Sequence, residues 1–345
     1  MNDYLWDKSS EPDAEVERLE RLLAVYRRKR AFVFPESIAP KAGAMRVGQP
    51  GRFAAFWSWP WRVAGFATAV VVLAAIAIVV SPAGRSGVKW RAKRSSGDPR
   101  VNAKVISGAE ALRVGSEIST DSKSEIELTV GGHGRIRVLP GSEIKLVQSN
   151  ARHQRLELQH GAIEARLYAP PFMFSFDTPS GTAYDIGCAF RLSVDEQRRG
   201  MLEVLSGWVQ FEVGYEQSLA PAGTEVEIEP GFAPGTPVYK DASAEFREAV
   251  HRLDFGDASE RAAALQVALQ QARAKDVYTL LRLMRTASPE ERGMIFDRSR
   301  ELKPPPAWVT REGIMRHEET MIDAWNTSLG LGDAKRWWVN WKDRF

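Results

Sequence analysis

The side chains that most often carry out chemistry are sparse in this chain of 345 residues. It has a single cysteine, Cys188, and five histidines: His133, His153, His160, His251 and His317. Zinc sites need several nitrogen or sulfur ligands at short characteristic spacings, which these residues lack. We therefore expect no cysteine zinc site and no internal disulfide, and we expect His153 and His160, which bracket a predicted turn, to lie at the surface.

Three short motifs resemble parts of catalytic sites, but each is incomplete. Residues 317–321 read His-Glu-Glu-Thr-Met, which begins like a zinc-protease helix but has methionine where the second histidine must stand. Ser180 lacks the nucleophile-elbow pattern, and the glycine-rich residues 131–134 lack the phosphate-loop lysine and a following helix. Cys188 lies in an apolar alternating stretch, which predicts a buried thiol. The sequence thus predicts no enzyme, no cofactor and no metal site.

Bulk charge and length set broad limits. The net charge of +3 is small beside 47 basic and 44 acidic residues, so the chain has no global field for nucleic acid. We therefore expect no direct nucleic-acid partner. The length allows two or three domains.

Residues 63–80 are the longest apolar run. They contain no charge, and Thr68 is their only polar side chain. As a helix, eighteen residues span about 27 Å, close to the thickness of a hydrocarbon core. Trp57, Trp59 and Trp61 precede the run, where indole rings favour the headgroup layer. We predict a single transmembrane helix over 63–80. A buried helix of a soluble protein and a cleaved signal peptide are weaker alternatives, since the run is long and starts late.

Residues 1–62 are predicted to form an N-terminal helix followed by a linker. Pro12 and Asp13 can begin the helix, and apolar residues then recur at helical spacing. One short helix cannot bury this apolar stripe alone, so a partner protein, a second copy or the membrane surface must cover it. The candidate partner-binding residues are Trp6, Val16, Leu19, Leu22, Leu23 and Tyr26.

Residues 81–100 are rich in glycine, serine and basic residues, which predicts a second linker. It is either a solvated spacer or a segment in contact with anionic lipid headgroups. The positive-inside rule, applied alone, would place the C-terminal side of the span in the cytoplasm. The basic residues responsible are Arg85, Lys89, Arg91, Lys93, Arg94 and Arg100.

Residues 101–240 alternate between apolar and polar side chains in short runs, with turn residues every eight to twelve positions. This pattern is typical of strands with one buried and one solvated face. Gly161 is predicted to separate two strands, 156–158 and 163–167. The segment is predicted to be an all-β domain, either a sandwich or a solenoid-like coiled stack of short strands.

Residues 241–345 change to helical patterns. Asp257 with Glu260, Ser288 with Glu291, and Thr310 are predicted helix starts. We therefore predict a C-terminal α-helical domain, and for the whole chain a membrane-anchored α+β fold.

Seven motifs in the strand region resemble the FecR domain, the periplasmic domain of transmembrane regulators of the iron-dicitrate sensor type. They occur in the family's order and spacing over roughly residues 101–240. The motifs are Leu112-Arg-Val-Gly115, Ile118-Ser-Thr-Asp121, Ile136-Arg-Val-Leu-Pro-Gly-Ser142, Leu156-Glu-Leu-Gln-His-Gly161, Phe174-Ser-Phe-Asp-Thr-Pro-Ser-Gly181, Asp185-Ile-Gly-Cys-Ala-Phe190 and Leu202-Glu-Val-Leu-Ser-Gly-Trp-Val209.

The resemblance implies a single-pass inner-membrane protein of a Gram-negative-type bacterium, with its N-terminus in the cytoplasm and its β domain in the periplasm. Proteins of this type receive a signal from an outer-membrane receptor and control an extracytoplasmic-function sigma factor through the cytoplasmic helix. The chain departs from the minimal pattern in its helical tail and in the basic residues after the span.

Two functions from different classes therefore remain. The first is a signalling regulator of anti-sigma type, with a cytoplasmic sigma factor and a periplasmic or outer-membrane protein as partners. The second is an envelope-anchored scaffold that binds protein or cell-wall polymer and has no transcriptional output.

Overall fold

The computed structural model describes residues 88–331, which begin with a stack of short strands. Most strands alternate buried and exposed residues, as the sequence predicts. The strands are β1 Trp90–Ser96, β2 Arg100–Val101, β3 Lys104–Val105, β4 Ala109–Leu112, β5 Glu117–Ser119, β6 Glu125–Val130, β7 Gly134–Val138, β8 Glu143–Ser149, β9 Gln154–Leu167, β10 Phe174–Thr178, β11 Gly181–Asp185, β12 Ala189–Val194, β13 Gly200–Ser206, β14 Trp208–Val213, β15 Glu216–Pro221, β16 Thr224–Ile228 and β17 Val238–Tyr239.

These strands form two ladders that share β9. The first ladder has the order β4-β1-β6-β7-β9-β12-β13-β16-β17. The second has the order β3-β2-β5-β8-β9-β10-β11-β14-β15. All neighbours are antiparallel except β9 and β10, which are parallel.

The two ladders enclose one hydrophobic core. Phe176 of the second ladder and Phe190 of the first are both fully buried, and their ring centroids lie 5.2 Å apart. From β10 onward, successive hairpins alternate between the ladders. The structure therefore combines the two predicted alternatives: a coiled succession of hairpins that packs as a sandwich.

Strand β9 corrects the predicted break at Gly161. The chain runs through this residue as one strand of 14 residues, whose first half pairs with β8 and whose second half pairs with β12. Gly161 has φ +93°, a left-handed conformation that side chains with a Cβ rarely adopt. The glycine therefore bends the strand from one ladder into the other instead of ending it.

Strand β1 corrects the described part of the predicted linker, residues 88–100. Trp90 and Ala92 are buried, and the Trp90 Nε1 donates to Gln154 Oε1 at 2.8 Å. The alternation was hidden because the outward positions of this strand carry arginine and lysine, which give the segment the composition of a spacer.

The strands are followed by six α-helices within the described residues. They are α1 Ala244–Phe255, α2 Arg261–Gln271, α3 Val277–Leu283, α4 Pro289–Leu302, α5 Arg311–Met315 and α6 Glu319–Ser328. The predicted caps at Ser288 and Thr310 are confirmed, since each side chain accepts a backbone N–H of the first turn. The predicted capping box at Asp257 is wrong: α2 begins at Arg261, and Glu260 makes no side-chain cap bond.

The helices pack against the end of the strand stack. Trp208 and Ile186 belong to the hydrophobic core of the helices, and the rings of Trp208 and Tyr278 lie 6.2 Å apart. Secondary structure thus changes near residue 240, but the described strands and helices form one compact unit.

Residues 88–331 include no helix long and apolar enough to cross a membrane. The predicted cytoplasmic segment 1–62, the predicted span 63–80 and the tail beyond 331 lie outside the described residues.

We predict that Gly161→Ala lowers the free energy of unfolding by about 2 kcal/mol or more, because a Cβ there is strained and close-packed. The added Cβ would lie only 2.6 Å from the carbonyl oxygen of Gly141. Gly132→Ala is the matched control, since nothing lies within 4 Å of its added Cβ. Urea titration followed by circular dichroism measures both variants, and equal stability would contradict the strained bend.

Candidate binding cleft between strands and helices

A cleft of about 270 Å³ lies where the start of β15 meets the helices. It is at the small end of the range for ligand pockets, so it suits a small polar group. The lining combines donors and acceptors from β15, the loop before β17, and helices α1, α2 and α3. The charged lining residues are Glu216, Asp254, Arg261, Arg282 and Arg285.

Arg282 is the cation of the cleft that has no acidic partner. Its Nη2 donates to the carbonyl oxygen of Gln217 at 3.1 Å, and it makes no ion pair with any residue in 88–331. Burial lowers the pKa of Arg282, although arginine stays charged at physiological pH. Most of its donors therefore remain available to a bound acceptor.

The other two arginines are already neutralised. Arg261 pairs with Glu291, with Nε 2.8 Å from Oε1. Arg285 pairs with Glu319 and with Asp323, while its own Nε is buried without an acceptor in the described part of the chain. These pairs hold α2 to α4 and the turn after α3 to α6, so they fix the walls of the cleft.

Asp254 is the partly buried acceptor of the cleft. Its carboxylate accepts the backbone N–H of Thr236 at 2.6 Å and the hydroxyl of the same residue at 2.8 Å. Burial raises the pKa of Asp254 to about 6, and the two Thr236 bonds offset part of that rise. With Arg282 as donor and Asp254 as acceptor, the cleft can bind a polar group non-covalently.

The same arginine and Tyr278 also cover the edge of β15. The Tyr278 hydroxyl donates to the carbonyl oxygen of Leu219, two residues beyond the carbonyl that Arg282 binds. Carbonyls two apart on a strand point to the same side, here away from β14. Helix α3 therefore satisfies an edge that would otherwise stay open to pairing with another strand.

A second buried carboxyl lies where the two cores meet. Asp185 ends β11, and its Oδ1 accepts the backbone N–H of Cys188 at 2.9 Å and also contacts the thiol. Its Oδ2 is buried with no partner in residues 88–331. Burial raises the pKa of Asp185 to about 7, against the effect of these bonds. Cys188 is buried, as predicted.

The histidines bind no common ligand among the described residues. His153 and His160 are exposed, which confirms their prediction. His251 Nδ1 lies 2.6 Å from Glu227 Oε2, beside a cavity of only about 20 Å³, which holds roughly one water molecule. No cluster of three potential metal ligands occurs within 88–331.

The predicted partner-binding residues Trp6, Val16, Leu19, Leu22, Leu23 and Tyr26 lie outside the described residues. The sequence patterns did not identify the cleft residues as candidates for binding. One signal for them exists: Arg282 is the only charged residue in α3, whose other side chains are all buried.

Residues 116–210 match the family model described as FecR protein. The chain therefore carries a FecR domain. The match runs from the turn before β5 into β14, so it covers the shared strand β9 and the buried Asp185. It confirms the resemblance seen in the sequence, and it leaves the six helices outside the FecR domain.

Two solved structures show weaker similarity. Both are of a protein from Parabacteroides distasonis ATCC 8503 proposed to be an anti-sigma factor, with 14% identity and a TM-score of 0.32. The alignments cover 39% of this chain and 62% or 63% of that one, so the chain spans less than two thirds of its length. The comparison with curated proteins finds no match.

We predict that the stability of Asp185→Asn relative to the native chain improves as pH rises from about 4 to 7. The native-state pKa of Asp185 exceeds its unfolded-state value, so the folded chain holds the proton longer, and the native protein loses stability across this range. Asparagine does not titrate, and the difference amounts to on the order of 4 kcal/mol.

Urea titrations of the native chain and the variant at several pH values measure this difference. The shared titration of Asp254 cancels in the comparison. A stability difference that is constant with pH would show that Asp185 ionises normally in the folded protein.

Proposed function

We propose that this protein is a single-pass inner-membrane regulator of the FecR type. In this proposal it relays an envelope signal to a cytoplasmic extracytoplasmic-function sigma factor, in the manner of an anti-sigma factor, through protein–protein contacts. The observation that carries the proposal is the FecR family match over residues 116–210. The polar cleft supports a binding role over a catalytic one, because its groups suit hydrogen bonding to a ligand.

The proposed topology places the N-terminus in the cytoplasm and the FecR domain with the helices in the periplasm. The apolar run 63–80 supports one span, and no acidic or basic residue interrupts it. Under the positive-inside rule, the basic residues after the span argue against this orientation. Three of them, Arg91, Lys93 and Arg94, belong to folded strand β1. Long folded domains translocate largely regardless of local charge, so these residues weigh less than a linker's would.

The second candidate function is an envelope-anchored scaffold that binds protein or cell-wall polymer. The helical region favours it, because it lies beyond the FecR match and three of its helices, α1, α2 and α3, help to form the cleft. A sigma-factor gene directly upstream would favour the regulator, and a neighbourhood of envelope-assembly genes would favour the scaffold.

For the topology, we predict that alkaline phosphatase fused after Phe345 is active, while the same enzyme fused at residue 40 is inactive. Alkaline phosphatase folds to its active form only after export, so the two fusions report opposite sides of the membrane. Immunoblots of the membrane fraction confirm that both fusions are made in full length. An inactive Phe345 fusion that is nevertheless inserted would reverse the proposed orientation.

For the output, we predict that Leu19→Asp with Leu23→Asp abolishes capture of a sigma factor by a fragment of residues 1–50. Each large apolar side chain contributes about 1.5–3 kcal/mol when buried, and a charge in a dry groove is strongly disfavoured. Capture from host lysate with identification by mass spectrometry measures the effect.

Glu17→Ala with Arg21→Ala, on the opposite face of the predicted helix, is the matched control and should retain capture. If the native fragment captures no sigma factor and binds only anionic vesicles, the proposed output through this helix is wrong.

A further inference from the structure

The outer face of the first ladder carries a line of basic side chains at the end where the described chain begins. Arg91 pairs in register with Thr129, Thr129 with Arg135, and Arg135 with Arg166. All three arginines are exposed, because their neighbours along each strand point into the core. Lys89, which precedes β1 and is also exposed, lies beside this line two residues before Arg91. We name Lys89, Arg91, Arg135 and Arg166 the basic row.

The basic row has little compensating charge. Arg135 lies 3.8 Å from Glu127, and the other three members have no ion pair with any residue from 88 to 331. Like charges on neighbouring strands repel one another, so this arrangement costs stability. With strands about 4.8 Å apart, the arginines span roughly 14 Å of an open, flat surface. Such a surface suits an extended array of anionic groups better than a single small anion.

The position of the row along the chain indicates which anionic surface can reach it. Seven residues, 81–87, separate the apolar run ending at Val80 from Val88. Even a fully extended connection of that length spans no more than about 30 Å. The chain enters the strand stack at the row itself, since Lys89 is a member. A bilayer crossed by residues 63–80 is therefore within reach of the row.

We propose that the basic row docks the strand stack onto anionic lipid headgroups of the membrane that residues 63–80 cross. This inference rests on the membrane anchoring in the proposed function and adds a contact to it. In the proposed topology, it gives the basic residues after the span a role in lipid binding on the periplasmic side. Each basic residue near an anionic surface favours docking by about fivefold, so removing three arginines weakens it roughly a hundredfold.

The test uses the full-length protein in nanodiscs, made either of phosphatidylcholine alone or with about one third phosphatidylglycerol. A nitroxide at Thr129→Cys reports on the centre of the row, and a nitroxide at Thr182→Cys on the outer face of the second ladder is the control. The buried native Cys188 does not compete for the label. Accessibility to a water-soluble relaxation agent is measured in both disc types, and alkaline extraction verifies insertion.

We expect the label at 129 to be shielded in the anionic discs and accessible in the neutral discs, with the label at 182 accessible in both. Shielding should disappear in about 0.5 M salt, because the Debye length then falls to a few ångströms. It should also disappear in Arg91→Ser with Arg135→Ser and Arg166→Ser. Arg100→Ser with Arg113→Ser and Arg152→Ser removes the same charge elsewhere and should keep it.

Three results would overturn the proposal. An inserted protein whose label at 129 is equally accessible in both disc types has no lipid contact at the row. Shielding that persists in neutral discs, in salt and in the arginine variant would instead assign the face to a protein contact. Failure to insert at all would remove the membrane anchor, and this inference with it, which separates failure of the proposed function from failure of docking alone.

Discussion

Strand β9 is the element on which the architecture depends. Its first half is hydrogen-bonded in one ladder and its second half in the other, so a single backbone ties the two faces of the core together. The change of ladder is possible because Gly161 adopts a left-handed conformation and approaches the backbone of residues 141 and 142. The remaining hairpins then add to the two faces in alternation, each burying one apolar side.

At the far end of the stack, side chains of the helices donate hydrogen bonds to backbone carbonyl groups of the edge strand. Tyr278 and Arg282 satisfy carbonyls on the outer edge of β15, and Thr279 donates to the carbonyl of Pro237 before β17. Trp208 is buried in the core of the helices rather than in that of the strands. The cleft lies beside these contacts. Because α3 reaches the edge of β15 through long polar side chains, a polar gap remains between the helix and the strand.

Two carboxyls whose pKa is raised lie at the junction between strands and helices. Asp185 and Asp254 both have a raised pKa through burial, and each accepts a backbone N–H, from Cys188 and from Thr236 respectively. Arg282 and Arg285 keep donor groups without acceptors in the part of the chain that the structure describes. The junction therefore combines titratable carboxyls with these free arginine donors, so binding or a change of protonation there can act on the fold.

Much of this molecule is determined by local sequence. Period-two alternation predicts the strands around Leu128 and Ile136, and cap residues predict helix starts at Ser288 and Thr310, since both signals depend on residues a few positions apart. The tertiary structure decided the rest. The apparent spacer around Trp90 becomes a strand because it pairs with β4 and β6, and its Trp90 side chain bonds to Gln154, 64 residues away. Gly161 bends a strand that its sequence suggested it would end. Such pairings bring together residues that are distant in the chain, and no local pattern records which segments will meet.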